Sequence, residues 1–227
     1  IYKYKLYLYF FFFIFLSSTF NFQLFKNFKD KFSLKQINIE GVSDDEKKVI
    51  EVELNDLKNF NIFKLSEDKV IDKLNKFNFL ENIYVKKIAP SSIKINLTRT
   101  HILGKTLLNG EEFYIGKNGK FINSNQISLK KKIPIVFGEF NINEFLNLYE
   151  ILKNYQIKTL SIDKYFYFKN KRWDLVFSDG VILKLPTKNY ENSIKIYKKL
   201  LINNILKNIK VIDLRIKNQI ILTKNNE

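Results

Sequence analysis

The chain has no cysteine, no methionine, one histidine, three prolines and seven glycines in 227 residues. Without cysteine there is no disulfide framework, thiolate metal site or thiol nucleophile. His101 is the one imidazole, which removes most zinc ligand sets and leaves a single side chain for acid–base work near neutral pH. It has no serine or acid beside it in sequence, and a lone histidine of this kind reads as surface or structural. Gly116 and Gly119 sit in a hairpin turn, not before a helix, so they do not form a phosphate loop. Asp44, Asp45 and Glu46 stand at a helix start, where acids complement the helix dipole, and are not read as a metal site. No catalytic residue, metal ligand, cofactor or small-molecule substrate is therefore assigned, and the chain is expected not to be an enzyme.

Arginine is also scarce. All but Arg99, Arg172 and Arg215 of the 39 basic residues are lysine, and against 23 acids they leave a net charge of +16. The lysines are dispersed among Asn, Ile and Phe, the residues that AT-rich codons favour. Guanine readout and phosphate forks prefer arginine, and no long basic tract is present. A lysine-rich nucleic-acid-binding protein is kept as an alternative from a different class, which predicts a steep salt dependence of binding. No nucleic-acid partner is expected.

What the sequence does have is apolar bulk, 45% of its residues, enough to exclude a wholly disordered chain. Leu6 to Phe25 carries no charge between Lys5 and Lys26. Twenty helical residues span about 30 Å, the hydrocarbon thickness of a bilayer. The centre of the run is apolar on every face, and Tyr2, Tyr4 and Tyr7 fit an interfacial belt. A cleaved signal peptide, with Ser17-Ser18-Thr19 as its small-residue zone, is the competing reading. The absence of an A-x-A-like site and the continuation through Phe20–Phe25 favour an uncleaved anchor. Long downstream domains cross the membrane regardless of charge, so residues 1–5 are expected in a cytoplasmic tail and the bulk outside the cytoplasm.

From residue 32 the hydrophobic period changes in a readable order. Leu34, Ile37 and Ile39 predict a strand closed by Gly41. Ser43-Asp44-Asp45-Glu46 predicts a capping box opening a helix, with Val49, Val52, Leu54 and Leu57 on its apolar side. A second helix is predicted from Ser66, with Val70, Ile71, Leu74 and Phe77 on one face. Strands over 82–88 and 93–100 follow, joined by Ala89-Pro90-Ser91-Ser92. The order strand, helix, helix, strand, strand makes a small α+β domain with two helices on one face of a sheet.

The second half reads as another α+β domain, rich in strands. Gly116-Lys117-Asn118-Gly119 marks one hairpin and Ser178-Asp179-Gly180 a second, its strands being Trp173–Phe177 and Val181–Leu185. Helices are predicted over 143–154 and 193–205, the latter with Ile194, Tyr197, Leu200 and Leu201 along one side. Trp173 is expected in the core. Strands over 211–216 and 219–223 are predicted to end the chain around Lys217-Asn218, with Arg215 facing away from the core.

Phe32-Ser33-Leu34-Lys35-Gln36-Ile37-Asn38-Ile39-Glu40-Gly41 resembles the opening strand of a POTRA domain, as does the strand–turn–strand of Leu80 to Thr100. Further on, Leu97-Thr98-Arg99-Thr100-His101, Tyr114-Ile115-Gly116-Lys117-Asn118-Gly119, Ile133-Pro134-Ile135-Val136-Phe137-Gly138, Arg172-Trp173-Asp174-Leu175 and Ile212-Asp213-Leu214-Arg215 resemble, in order and spacing, motifs of the bacterial FtsQ/DivIB cell-division family. Thr98, His101 and Gly116 depart from the usual glutamate, proline and aspartate. The resemblance implies an anchor over 6–25, a POTRA-like domain (β-α-α-β-β) over 32–101 and a family β domain over 102–227. It implies a single-pass protein of a Gram-negative inner membrane, with its bulk in the periplasm at the division septum. Its role would be a non-catalytic divisome scaffold binding FtsB- and FtsL-like partners. A POTRA-type chaperone or outer-membrane assembly factor is the nearer alternative, and predicts a β-barrel or repeated POTRA units.

Gln219-Ile220-Ile221-Leu222-Thr223 carries the most functional content. At a sheet edge its backbone would accept a strand from another protein; inside a sheet it would already be paired, and the pattern alone does not choose. The family resemblance favours the edge. It points to Arg172, Asp213, Arg215, Ile216, Lys217, Asn218, Gln219, Ile220, Ile221 and Leu222 as the partner-binding residues.

Overall fold

The computed structural model describes residues 2–18, 30–127, 129 and 131–224. Its first helix, α1 (Tyr2–Ser18), has its large side chains from Leu6 to Leu16 exposed. The expected anchor over 6–25 is thus helical as far as Ser18, and residues 19–25 lie outside the described residues. Among the described residues no helix is long and apolar enough to cross a membrane.

The chain forms two compact units, Ile1–Leu74 with Ile83–Leu97, and Asn75–Asn82 with Thr98–Glu227. The first contains β1 (Gln36–Glu40), α2 (Asp44–Leu54), α3 (Glu67–Leu74), most of β2 (Leu80–Ile88) and nearly all of β3 (Ser92–Arg99). The sheet order is β1-β3-β2, with β1 parallel to β3. Ser43 caps α2 as its sequence predicts: its hydroxyl accepts from Glu46 N at 3.4 Å, and the Glu46 carboxylate accepts from Ser43 N at 2.9 Å. That box fixes the helix rotation. It turns Glu46, Ile50 and Leu54 inward, with Leu57 just beyond, while Val49 and Val52 stand 47% and 78% exposed. The expected apolar side of α2 is therefore corrected by one residue, because the buried stripe starts from the capping glutamate. On α3, Val70 and Leu74 are buried as expected, and Ser66 Oγ accepts from Lys69 N.

The second unit is built on a nine-stranded sheet ordered β12-β11-β10-β9-β8-β7-β4-β5-β6. In chain order the strands are β4 (Ile102–Leu108), β5 (Glu111–Gly116), β6 (Phe121–Asn123), β7 (Ile135–Phe137), β8 (Ile162–Tyr167), β9 (Trp173–Phe177), β10 (Ile182–Lys184), β11 (Ile209–Asp213) and β12 (Ile221–Lys224). Two helices intervene, α4 (Ile142–Asn154) and α5 (Tyr190–Ile202). The register lines up Val136, Tyr165, Leu175, Leu183, Ile212 and Leu222 across six strands. The first five are buried, and all six belong to one core with Phe145, Leu148 and Leu152 of α4 and Ile194, Tyr197 and Leu200 of α5. Each such side chain contributes roughly 1.5–3 kcal/mol by leaving water. Because side chains alternate along a strand, the next row, Phe137, Phe166, Asp174, Lys184, Asp213 and Ile221, faces the other way.

Trp173 lies in the core at 2% exposure, as expected, with Tyr167, Phe140 and Phe145 around it. Tyr167 Oη donates to Glu144 at 2.7 Å, tying β8 to the first turn of α4. Asn118, in the β5–β6 turn, donates through Nδ2 to the carbonyls of Asn78 and Leu80. Helix α5 runs three residues earlier than its sequence predicts, and Leu201 is exposed, not on the buried side. The final strand pair exists, but β11 stops at Asp213 and β12 starts at Ile221, so a loop of residues 214–220 replaces the expected tight turn.

Gly138 has φ +102°, and a Cβ there would collide with the Tyr167 carbonyl. Gly138→Ala combines that clash with a left-handed backbone, and is expected to cost at least about 2 kcal/mol. Chemical denaturation followed by Trp173 fluorescence measures it.

Candidate partner-binding site at the sheet edge

Strand β12 stands at one end of the sheet order, with β11 on one side and no strand on the other among the described residues. Asp213 sets its approach. The Asp213 carboxylate accepts from Arg215 N at 3.1 Å and from Arg215 Nε at 2.8 Å, so it closes a local turn and ends β11. The hydrogen bonds from Arg215 hold the Asp213 carboxyl below its ordinary value, and the carboxylate in turn raises the Arg215 guanidinium. Leu214 N donates to the Lys184 carbonyl, which keeps the start of the loop on β10. The loop then turns at Asn218, whose φ is +64°, with Gln219 N donating to Ile216 O.

Residues 214–220 form one wall of a groove of about 500 Å³. The facing wall comes from the turn into α5 and its first half, including Pro186, Asn189, Ser193 and Ile196. The structure thus gathers Arg215, Ile216, Lys217, Asn218, Gln219 and Ile220 at one groove, with Ile221 opening the strand beside it. Ile216, Ile220 and Ile221 are 51%, 46% and 45% exposed. Leu222 is turned into the core, so only its backbone is at the edge. Arg215 is exposed, as its sequence position predicts.

Arg172 lies outside the groove, immediately before β9. Its guanidinium stacks on Phe168 at 4.1 Å, and Nε is 3.5 Å from Asp174 Oδ1. Asp174 was not singled out from sequence, yet it is the residue that links Arg172 to the rest. It is 6% exposed and pairs in register with Lys184, which pairs in turn with Asp213. Burial raises the Asp174 carboxyl above its ordinary value, partly offset by Arg172, Lys184 and Arg215. Charges therefore alternate from Arg172 through Asp174, Lys184 and Asp213 to Arg215. Strand alternation already places Asp174 opposite Trp173 and Leu175; its partners become visible only through the cross-strand register.

A β-α-α-β-β unit followed by a strand-rich α+β unit defines a POTRA-containing protein. Residues 32–98 match the FtsQ-type POTRA domain and residues 107–215 the C-terminal domain of cell division protein FtsQ/DivIB. The chain is 32% identical over 202 residues to cell division protein FtsQ of Rickettsia bellii, covering 85% of this chain and 73% of that protein. It is 28% identical over 196 residues to FtsQ of Rickettsia conorii, with the same coverage. The chain belongs to the FtsQ/DivIB family of cell division proteins. A solved structure of the major extracytoplasmic domain of DivIB from Geobacillus stearothermophilus aligns with a TM-score of 0.34 and 9% identity, over 47% of this chain and 97% of its own. That likeness is too slight to add to the argument.

Asp213 has a depressed carboxyl, so its pairing stabilises the fold above the ordinary value of 3.8 and is lost as pH falls through the depressed value. Asp213→Asn is expected to cost about 1 kcal/mol at pH 7, because the partner Arg215 is exposed to solvent, and to differ little from the parent in strong acid. Asp174→Asn has the opposite sign. A raised carboxyl destabilises the fold once pH passes its unfolded value, so this change removes a loss of stability that sets in above 3.8. Thermal melts of parent and both variants across acid to neutral pH separate the two effects.

Proposed function

We propose that this chain is a non-catalytic divisome scaffold that captures FtsB- and FtsL-like partners by adding a strand to β12. The observation that carries this reading is the open side of β12, flanked by exposed Ile216, Ile220 and Ile221. An added strand gains main-chain hydrogen bonds along β12, and the side chains around the groove supply selectivity. Arg172, Asp213 and Arg215 contribute charge near the same end of the sheet, and Lys217, Asn218 and Gln219 shape the groove mouth. Leu222 contributes through its main chain.

The same proposal places the chain as a single-pass protein of the inner membrane at the division septum. The anchor is Leu6 to Phe25, the tail before it is cytoplasmic, and the POTRA-like and β domains (32–101 and 102–227) are periplasmic. The uncharged run and the exposed apolar surface of α1 support this placement, because no aqueous surface tolerates so continuous an apolar helix. The protein links cytoplasmic and periplasmic division proteins and uses no cofactor, metal or nucleic acid.

Leu222→Pro removes the backbone donor that the register turns to the open side of β12 and fixes φ within the edge strand. Capture of the FtsB-like partner from detergent-solubilised membranes is expected to fall by at least about tenfold, while the POTRA-like unit keeps its native proteolysis pattern. Capture at parental levels would sink the strand-addition mechanism. Reporter fusions at each end of the chain test the topology independently: activity of a periplasmic reporter at the C-terminus is expected, and activity of a cytoplasmic one there would overturn the placement.

A further inference from the structure

We infer that the first unit carries a lipid-docking surface at the end where the chain enters it, and that the loop Phe60–Lys64 rests on the headgroups of an anionic bilayer. The inference rests on the membrane anchor proposed above. The segment of residues 32–34 that leads into β1 and this loop are held together: Ser33 bridges Asn61, Leu34 N donates to Phe60 O, and Ile62 N donates to Phe32 O. Any force that brings Phe32 to the membrane brings the loop with it. Phe32 is seven residues past Phe25, so even a fully extended chain keeps it within about 25 Å of the end of the apolar run.

The loop presents apolar rings that it has no way to hide. Asn61 Oδ1 accepts from Phe63 N, and Asn61 O accepts from Lys64 N and Leu65 N, which fixes the turn. Ile62 and Leu65 are 1% exposed and fill the core, so Phe60 and Phe63 are left outside, 43% and 67% exposed. The Phe63 ring meets Phe32 at 5.1 Å, and Lys69 Nζ sits 4.1 Å over the Phe60 ring. Aromatic rings at headgroup depth combined with lysines are what an anionic interface binds. Lys31 and Lys35 in the segment leading into β1, Lys58 just before the loop and Lys64 at its end are all exposed. The carboxylates nearby are Asp30, Glu67 and Asp68, with Asp56 engaged by Lys73 at 2.9 Å. Together with Lys69 the lysines outnumber the acids not so engaged. The bilayer is favoured over a protein partner because chain connectivity already delivers it, at high effective concentration, to this end of the unit.

These 227 residues contain no cysteine, so one introduced cysteine on this chain carries a single bimane. In nanodiscs containing phosphatidylglycerol and a headgroup-proximal spin-labelled lipid, bimane on Phe63→Cys is expected to be quenched. Bimane on Val42→Cys, beyond the opposite end of β1, is expected to be spared. Lys58→Gln and Lys64→Gln should each lower the docked-to-undocked ratio at position 63 about fivefold, as should uncharged phosphatidylcholine discs in the same direction. Equal quenching at 63 and 42, or quenching at 63 indifferent to both lysine changes, overturns the proposal. A chain that does not enter the discs at all overturns the anchor reading and the docking surface with it, so the two failures are told apart. Folding of the first unit in each labelled variant is checked by its limited-proteolysis pattern, because Trp173 reports only on the second unit, and a misfolded Phe63→Cys is replaced by Phe60→Cys with the same expectations.

Discussion

In the nine-stranded sheet each strand has one face to give to the helices, and everything at the open edge follows from which residues take it. Val136, Tyr165, Leu175, Leu183, Ile212 and Leu222 claim the inner side, so Phe137, Phe166, Asp174, Lys184, Asp213 and Ile221 have no choice but the outer one. A shift of one residue in any pairing would exchange the two rows and bury the charges. The helical core therefore specifies the position of Asp213, and through it where β11 ends and where Ile221 emerges. Burying Asp174 without cations would cost several kcal/mol. Arg172 and Lys184 make its position tolerable, so the outer row holds together as a set of opposite charges.

Arginine's rarity gains meaning in this setting. Two of the three arginines flank the Asp174–Lys184–Asp213 row, one at each end. Arg215 wraps Asp213 with Nε and Nη2 together, and Arg172 combines an ion pair with stacking on Phe168. A lysine supplies one point charge and can do neither. In a chain whose positive charge is otherwise carried by lysine, these are positions where fork geometry and planarity matter.

Much of the architecture was legible in the sequence because its signals are local. The Ser43 capping box, the hairpins at Gly119 and Gly180, and the alternation of Ile93, Ile95 and Leu97 each need only a few neighbouring residues to be read. Strand β8 escaped because Tyr165, Phe166 and Tyr167 are consecutive aromatics and hide the alternation that puts only Tyr165 fully inside. The buried stripe of α2 was misplaced because Val49 and Val52 look apolar in isolation, whereas the cap sets the rotation. At the candidate site, the residues on and before β12 could be named from motif order. The facing wall from α5 could not, because Pro186 and Ile196 reach the groove through tertiary packing with no pattern of their own. Asp174 was hidden for the same reason: its charged neighbours are on other strands.

The loop of residues 214–220 gives β12 an independence that the inner strands lack. A strand with one neighbour can peel away while the other eight keep their core, since its main purchase on that core is the single side chain Leu222. Its fraying free energy is then set locally and lies far below that of global unfolding. On the strand-addition reading proposed above, an arriving strand would hold β12 in place, and its departure would leave β12 free to fray again. The edge can thus open and close locally without unfolding the protein that carries it.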